Sequence, residues 1–269
     1  MTGVPAERPP PTEPTADPGL LEELAANAVP ASTVWLLDGW LVRHTPEWPF
    51  ERANSVVPLA HHGRTPIDDK LAVVEECYRH AGRPVRYQIS PASQPADLDD
   101  RLEVAGYERV PGIEVRTGPV ARVLETTATG LARTARFHAT TDDRWVAAWR
   151  GCDDAEGPVR AFGESYAGVL RRIGPPLAAI SLELDGRPAS VAFGVVERGW
   201  VGVLGLLTRA DAYGHGAATA VVHAVAAWAH RLGATRLYLQ MPVEATRART
   251  LADRWGLEPA YVLHYRVTS

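Results

Sequence analysis

Apolar positions along the chain follow two rhythms, one of period two or continuous and one of period three to four. The first predicts strands at Thr33 to Arg43, Arg52 to Leu59, Val85 to Ile89, Pro119 to Leu124, Leu177 to Glu183, Arg187 to Glu197, Trp200 to Thr208 and Thr235 to Gln240. The second predicts helices at Leu20 to Ala28, Pro66 to Ala81, Asp142 to Cys152 and Val159 to Ile173, with Ile67, Leu71, Val74 and Tyr78 sharing one face of the helix from Pro66. A long helix follows Gly216, with Val221, Val222, Val225, Trp228, Ala229 and Leu232 as its apolar stripe and Gly233 as its stop. Shorter helices end in Leu102-Glu-Val-Ala-Gly-Tyr107 and in Leu251-Ala-Asp-Arg-Trp-Gly-Leu257. Asp17 or Gly19 precedes the first helix, and Asp17 as cap with Pro18 at the first helical position is consistent with that start. Asp185-Gly186 is a two-residue hairpin turn. The first two strand segments, separated by a turn through Pro46 and Pro49, are expected to form a hairpin with each other.

The order of hairpin, helix, strand, short helix, glycine and strand occurs before residue 120 and again after it, which predicts a duplicated architecture without visible sequence repetition. The polar stretch from Glu125 to Gly130 is a natural boundary region. Residues 1–19, rich in proline and poor in apolar residues, are expected to be a disordered tail. Residues 20–118 and 119–269 are then two domains of the α/β class (α+β type), each a twisted, mostly antiparallel mixed sheet flanked by helices.

The chemistry concentrates where the strand ending at Thr208 runs through Tyr213-Gly-His-Gly-Ala-Ala218 into the long helix. Gly214 and Gly216 allow a tight turn without a Cβ, and the first N–H groups of a helix point into such a turn with the positive dipole end behind them. This is an anion-binding geometry suited to phosphate. A P-loop requires Lys and Ser or Thr after its last glycine, but Ala217 and Ala218 stand there. A dinucleotide fold requires a third glycine and an acid closing the second strand, where the chain has Thr219 and Gln240. The matching place in the first half, Ala60-His-His-Gly-Arg-Thr-Pro66, has one glycine and a proline, so it lacks the free amides. Adjacent His61 and His62 diverge and have no spaced third ligand, so a solvated loop is expected there and no metal.

The surviving pattern resembles the GNAT N-acetyltransferase superfamily, whose pyrophosphate loop reads Arg/Gln-x-x-Gly-x-Gly/Ala. Gly216 and Ala218 match, and Tyr213 stands in the Arg/Gln position. The order around the loop also agrees: Ser190 to Val196, Trp200 to Thr208, the loop, Leu237-Tyr-Leu-Gln240, then Leu251 to Leu257. The first half resembles the degenerate half of tandem members through Asp38-Gly-Trp40, Arg43 and Arg52-Ala-Asn-Ser-Val56. The resemblance implies acetyl-CoA as cosubstrate, held by Leu206, Leu207, Thr208, Tyr213, Gly214, His215, Gly216, Ala217 and Ala218, with the Leu206 N–H as donor to the thioester oxygen. The implied activity is acetyl transfer to a primary amine of an unidentified acceptor, and the alternative is a catalytically weak or inactive acetyl-CoA-binding module. The family's Glu on the strand before the loop is absent, its thiolate-protonating Tyr falls at Ala252, and its Asn falls at Ala245. Glu164 and Tyr166 on the acceptor-side helix are the substitutes expected for proton transfer, with Glu183, Tyr261 and Tyr265 behind them.

Composition narrows the partners. A net charge of −4 over 269 residues, without a long basic cluster, favours neither nucleic acid nor an anionic membrane. Two cysteines make no disulfide framework, and no apolar run approaches the roughly 20 residues that span a bilayer. A cytoplasmic protein acting on a small-molecule or peptide amine is expected, as monomer or homodimer.

Overall fold

The computed structural model describes residues 16–48, 50–138, 143–152 and 163–268, with the side chains of 163–166 outside the description. Eleven strands of the described residues form one sheet: β1 (Thr33–Leu37), β2 (Trp40–His44), β3 (Val56–Val57), β4 (Arg86–Ile89), β5 (Glu108–Pro119), β6 (Arg136–His138), β7 (Leu177–Leu184), β8 (Arg187–Glu197), β9 (Trp200–Thr208), β10 (Arg236–Pro242) and β11 (Glu258–Val267). Helices α1 (Pro18–Ala28), α2 (Ile67–His80), α3 (Leu98–Val104), α4 (Val120–Thr126), α5 (Asp143–Cys152), α6 (Gly163–Arg172), α7 (Ala217–Arg231) and α8 (Thr246–Arg254) flank it. The α+β class therefore holds. All pairings are antiparallel except β3 with β4 and β9 with β10, so each half of the sheet contains one parallel pair. The two halves exchange their last strands: β5 lies against β10, and β11, the last strand in the chain, lies against β4.

Several elements differ from the sequence expectation, each for a local reason. Thr33 to Arg43 is itself a hairpin, because Asp38 and Gly39 take positive φ (45° and 92°) between the facing residues Leu37 and Trp40. Two consecutive positive φ values make the tight turn that strand twist favours. Arg52 to Leu59 then contributes a 3-10 turn at Glu51–Ala53 and the short β3 instead of a hairpin partner. Val120 to Leu124 is helical, because Val120 and Val123, three residues apart, are both buried, and this packing overrides the strand preference of valine. Pro18 and Gly19, assigned to the tail, begin α1, where the Asp17 carboxylate accepts from Gly19 N (3.2 Å) and Leu20 N (3.3 Å). The rest of that tail through residue 15 lies outside the described residues, as do Asp142 and residues 159–162 of the helices expected there. Leu232 caps α7 and is 51% exposed, while Ala220, Ala224 and Ala226 help fill the stripe beneath the helix.

A buried polar chain ties α1 to both halves. Glu22 of α1 is 1% exposed; Tyr261 Oη of β11 donates to one carboxylate oxygen at 2.6 Å, and Gln88 Nε2 of β4 donates to the other. Gln88 Oε1 accepts in turn from Nη2 of buried Arg43 on β2 at 3.2 Å. Burial pushes the Glu22 carboxyl above its ordinary value of 4.5, against the opposing effects of these two hydrogen bonds and of Arg43 and Arg52.

The splay of β9 from β10 has a covalent origin in glycine. β9 keeps register with β8 through Phe193↔Leu204 and resumes it at Val191↔Leu207, so Gly205 and Leu206 bulge opposite one residue. Gly205 has φ +58°, and a Cβ there would lie 2.9 Å from the Phe193 ring.

Glu22→Leu leaves two buried donors without an acceptor and is expected to lower stability by on the order of 3 kcal/mol in denaturant titrations. Because the folded protein binds the Glu22 proton more tightly than the unfolded chain, this carboxyl makes stability fall as pH rises above 4.5, and Glu22→Gln is expected to flatten that slope. Gly205→Ala combines left-handed backbone with a ring collision and is expected to cost roughly 1–3 kcal/mol in the same titration; an unchanged midpoint would show that the bulge is freely remodelled.

Candidate active site

β9 and β10 pair at four positions, from Trp200↔Arg236 to Val203↔Leu239, and then separate. β9 stays with β8, and β10 stays with β5 through Pro242↔Ile113. Between the parted strands lies a cleft of about 760 Å³, with residues 203–208 on one wall and 238–242 on the other. Past Val203 the β9 backbone has no strand partner on the β10 side, so its amides are available to a bound chain that carries its own amide groups.

The loop predicted to bind phosphate lies at one end of this cleft. A 3-10 turn, Ala210–Ala212, takes up the N–H groups of Tyr213 (to Ala210 O, 3.2 Å) and His215 (to Ala212 O, 3.3 Å). Gly214 (φ +81°) and Gly216 (φ +78°) make the reversals, and Gly216 caps α7 without a side-chain partner. Free donors therefore come from Gly214, Gly216 and the first turn of α7 with its helix dipole, more than from Tyr213 or His215. Arg209 does not face this space: it donates to Pro188 O and to Asp211, and that bond above all holds the Asp211 carboxyl below its ordinary value.

A second cavity of about 520 Å³ covers the loop and is lined on its far side by Arg247, Thr250 and Arg254 of α8. The Arg247 guanidinium lies over the Tyr213 ring, 4.1 Å from its centroid. The tyrosine that replaces Arg or Gln in the loop thus carries an arginine from another helix as a cation–π partner. Sequence spacing gave no sign of this, because the residues are 34 positions apart (247 − 213). These residues suit a pyrophosphate: unpaired amides at a helix start, glycines without Cβ, and guanidinium groups facing them.

The expected proton-transfer residues fare unequally. Glu164 and Tyr166 fall within α6, but their side chains lie outside the described residues; α6 reaches the cleft through Val169. Glu183 is on β7, 3.3 Å from Arg136 on the edge strand, and does not line the cleft. Tyr261 is committed to Glu22. Tyr265 does line the cleft, but its hydroxyl donates to Gln88 Oε1 at 3.5 Å, and burial raises it above the ordinary tyrosine value, so it stays protonated. The position of the family's usual Tyr, Ala252, is fully buried in the core, and Ala245 lines the cleft.

Residues that the sequence did not place at the site complete it. Trp48, Phe50, Glu51 and Arg52, all from the first half, line the cleft together with Gln240 of β10. The one available signal was an acid and a base flanked by aromatics in the segment after β2. Among the described residues, no cluster of three or more His, Cys, Asp or Glu is placed to hold a metal ion.

Comparison with known proteins agrees with this geometry. Residues 15–266 match the family model described as "Probable histone acetyltransferase Rv0428c C-terminal". The chain is 28% identical over 249 residues to the "Uncharacterized N-acetyltransferase YobR" of Bacillus subtilis, covering 92% of this chain and 97% of the relative. Its fold is similar to a GCN5-related N-acetyltransferase from Kribbella flavida (TM-score 0.65, 16% identity, 91% and 94% of the two chains). It is also similar to a tandem GNAT protein from the clavulanic acid biosynthesis pathway (TM-score 0.63, 12% identity, 80% and 74%). The chain belongs to the Rv0428c C-terminal family of probable histone acetyltransferases and shares the fold of GNAT proteins, a tandem one among them.

Proposed function

We propose that the chain transfers an acetyl group from acetyl-CoA to a primary amine, with the cosubstrate held by the second half alone. The observation that carries this is continuity: Thr208, Tyr213, Ala218, Arg247 and Leu251 line both the loop cavity and the cleft. One extended molecule can therefore place phosphates at the loop and a thioester between the parted strands. Bound there, acetyl-CoA supplies an activated acyl carbon: the amine nitrogen bonds to it, the C–S bond breaks, and the sulfur departs with a proton.

The chain's own groups serve each part of this reaction. Gly214, Gly216, Ala217 and Ala218 direct N–H groups and the α7 dipole at phosphate, Arg247 adds a charged donor, and Leu207 and Thr208 offer backbone to pantetheine amides. Leu206, in the bulge, presents its N–H to the carbonyl oxygen as negative charge builds. Glu51 takes the proton of the incoming ammonium, and the proton released from the acylated nitrogen goes to the departing sulfur. Two cysteines, too few for a disulfide framework, suit a reducing, cytoplasmic setting.

Calorimetry with acetyl-CoA tests the binding half of the proposal. Gly216→Asp is expected to weaken affinity by about 2 kcal/mol, from lost dipole and hydrogen-bond contributions plus repulsion. Arg247→Gln is expected to weaken it by about 1 kcal/mol, more at low salt than at high. Equal affinity in wild type and Gly216→Asp would remove the loop from the site. Thiol release in the presence of amines tests transfer, and binding without release would identify a sensor in place of a catalyst.

A further inference from the structure

We infer, resting on the acetyltransferase reading, that the acceptor is a small amine that also carries a carboxylate, an amino acid or short peptide with an apolar side chain, and that Arg52 is the residue that selects the carboxylate.

The argument begins with charge. Among the described residues the cleft is lined by three charged side chains: Glu51, Arg52 and Arg247. Arg247 lies against Tyr213 at the phosphate end. Neither Glu51 nor Arg52 makes a side-chain hydrogen bond or ion pair with any described residue, although they are neighbours on one 3-10 turn and both are half-buried. Glu22 feels the Arg52 charge but makes no ion pair with it, and its carboxyl is instead hydrogen-bonded by Tyr261 and Gln88. A half-buried guanidinium facing an apolar cleft has lost water and, among the described residues, makes no ion pair, Glu22 acting on it only electrostatically; a bound carboxylate supplies that contact with bidentate geometry.

A second, independent observation indicates the same chemistry. Gln240 Nε2, on the β10 wall of the cleft, is buried and has no hydrogen-bond partner. A donor left in this state calls for an acceptor oxygen from the ligand. Guanidinium and amide are both donors, whereas the adjoining Glu51 is acceptor-only when ionised, so the cleft presents the complement of a molecule with one anionic and one amine group. Trp48 and Phe50, packed edge to face at 5.0 Å, add apolar surface beside these charges. None of these five residues lines the loop cavity, so they stand at the part of the cleft away from the phosphates, where an acceptor enters.

The test uses three probes that share a side chain and an amine: phenylalanine, phenylalaninamide and phenethylamine, with acetyl-CoA and thiol release as readout. Wild type is expected to use phenylalanine with a kcat/KM about tenfold or more above the other two, since a buried donor left unpaired penalises the analogue. Arg52→Gln is expected to raise the KM for phenylalanine about tenfold, to leave phenethylamine unchanged, and to keep the affinity for acetyl-CoA; Arg52→Lys, which retains the charge, is expected to recover part of the loss. Equal rates for the three probes, or an equal loss for all of them in Arg52→Gln, would overturn the assignment. Calorimetry of phenylalanine with the CoA-loaded protein separates this inference from the function on which it rests. Binding that disappears in Arg52→Gln supports the carboxylate site even without thiol release, and absence of binding refutes the site even if other amines are acetylated. A misfolded variant would show in its thermal midpoint, and in that case the wild-type preference among the three probes decides.

Discussion

Two parallel strands that pair over four residue positions and then part leave backbone that no neighbouring strand satisfies, and the rest of this molecule is arranged around that separation. Neither strand parts by bending alone: β8 holds β9, β5 holds β10, and the bulge at Gly205 takes up the difference. A cleft built this way does not close when empty, because closing it would break pairings on both outer sides. The glycine loop then lies at the open end, where the strand delivers the chain to α7.

The strand exchange explains how a cleft in the second half comes to be lined by the first. β5 is both the last strand of the first half and the support of β10, while β11 carries the chain's end back against β4. With β5 and β11 paired side by side along most of their length, the halves cannot separate without breaking the middle of the sheet. Glu22 adds a polar lock at this junction. Its carboxylate is costly to bury, so it is a weak source of stability but a strict one for register, because only one arrangement of α1, β4 and β11 satisfies all its partners.

Much of this was legible in the sequence, and the legible parts share a cause. The glycine loop, α7, the β7 to β9 strands and the Asp17 cap are specified by residues close in sequence, whose backbone requirements hold in any surroundings. The misread elements depend on distant contacts or on a signal passed over. Val120 to Leu124 has valines that suit a strand, but burial at three-residue spacing makes it helical. Asp38-Gly39 is as strong a hairpin signal as Asp185-Gly186, yet the longer apolar run around it hid the turn. At the site, Tyr213 read alone suggested a loop short of one arginine, and only packing shows Arg247 over its ring. The lining from Trp48 to Arg52 was invisible for the same reason, since nothing in a short aromatic segment says which cleft it faces.

These placements also account for the ionisable residues missing from β9. For the function proposed above, in which β9 holds a cosubstrate along its open edge, leucines keep water from those amides, whereas a charged side chain would draw water in. Residues 203–208 include Val203, Leu204, Leu206 and Leu207 and no ionisable group. Charge has instead been placed on an element that the exchanged strands bring to the cleft from outside, where Glu51 and Arg52 can meet a polar acceptor without disturbing the apolar wall. The apolar wall and the glycine loop thus come from the second half, while the charged lining of the cleft away from that loop comes from the first.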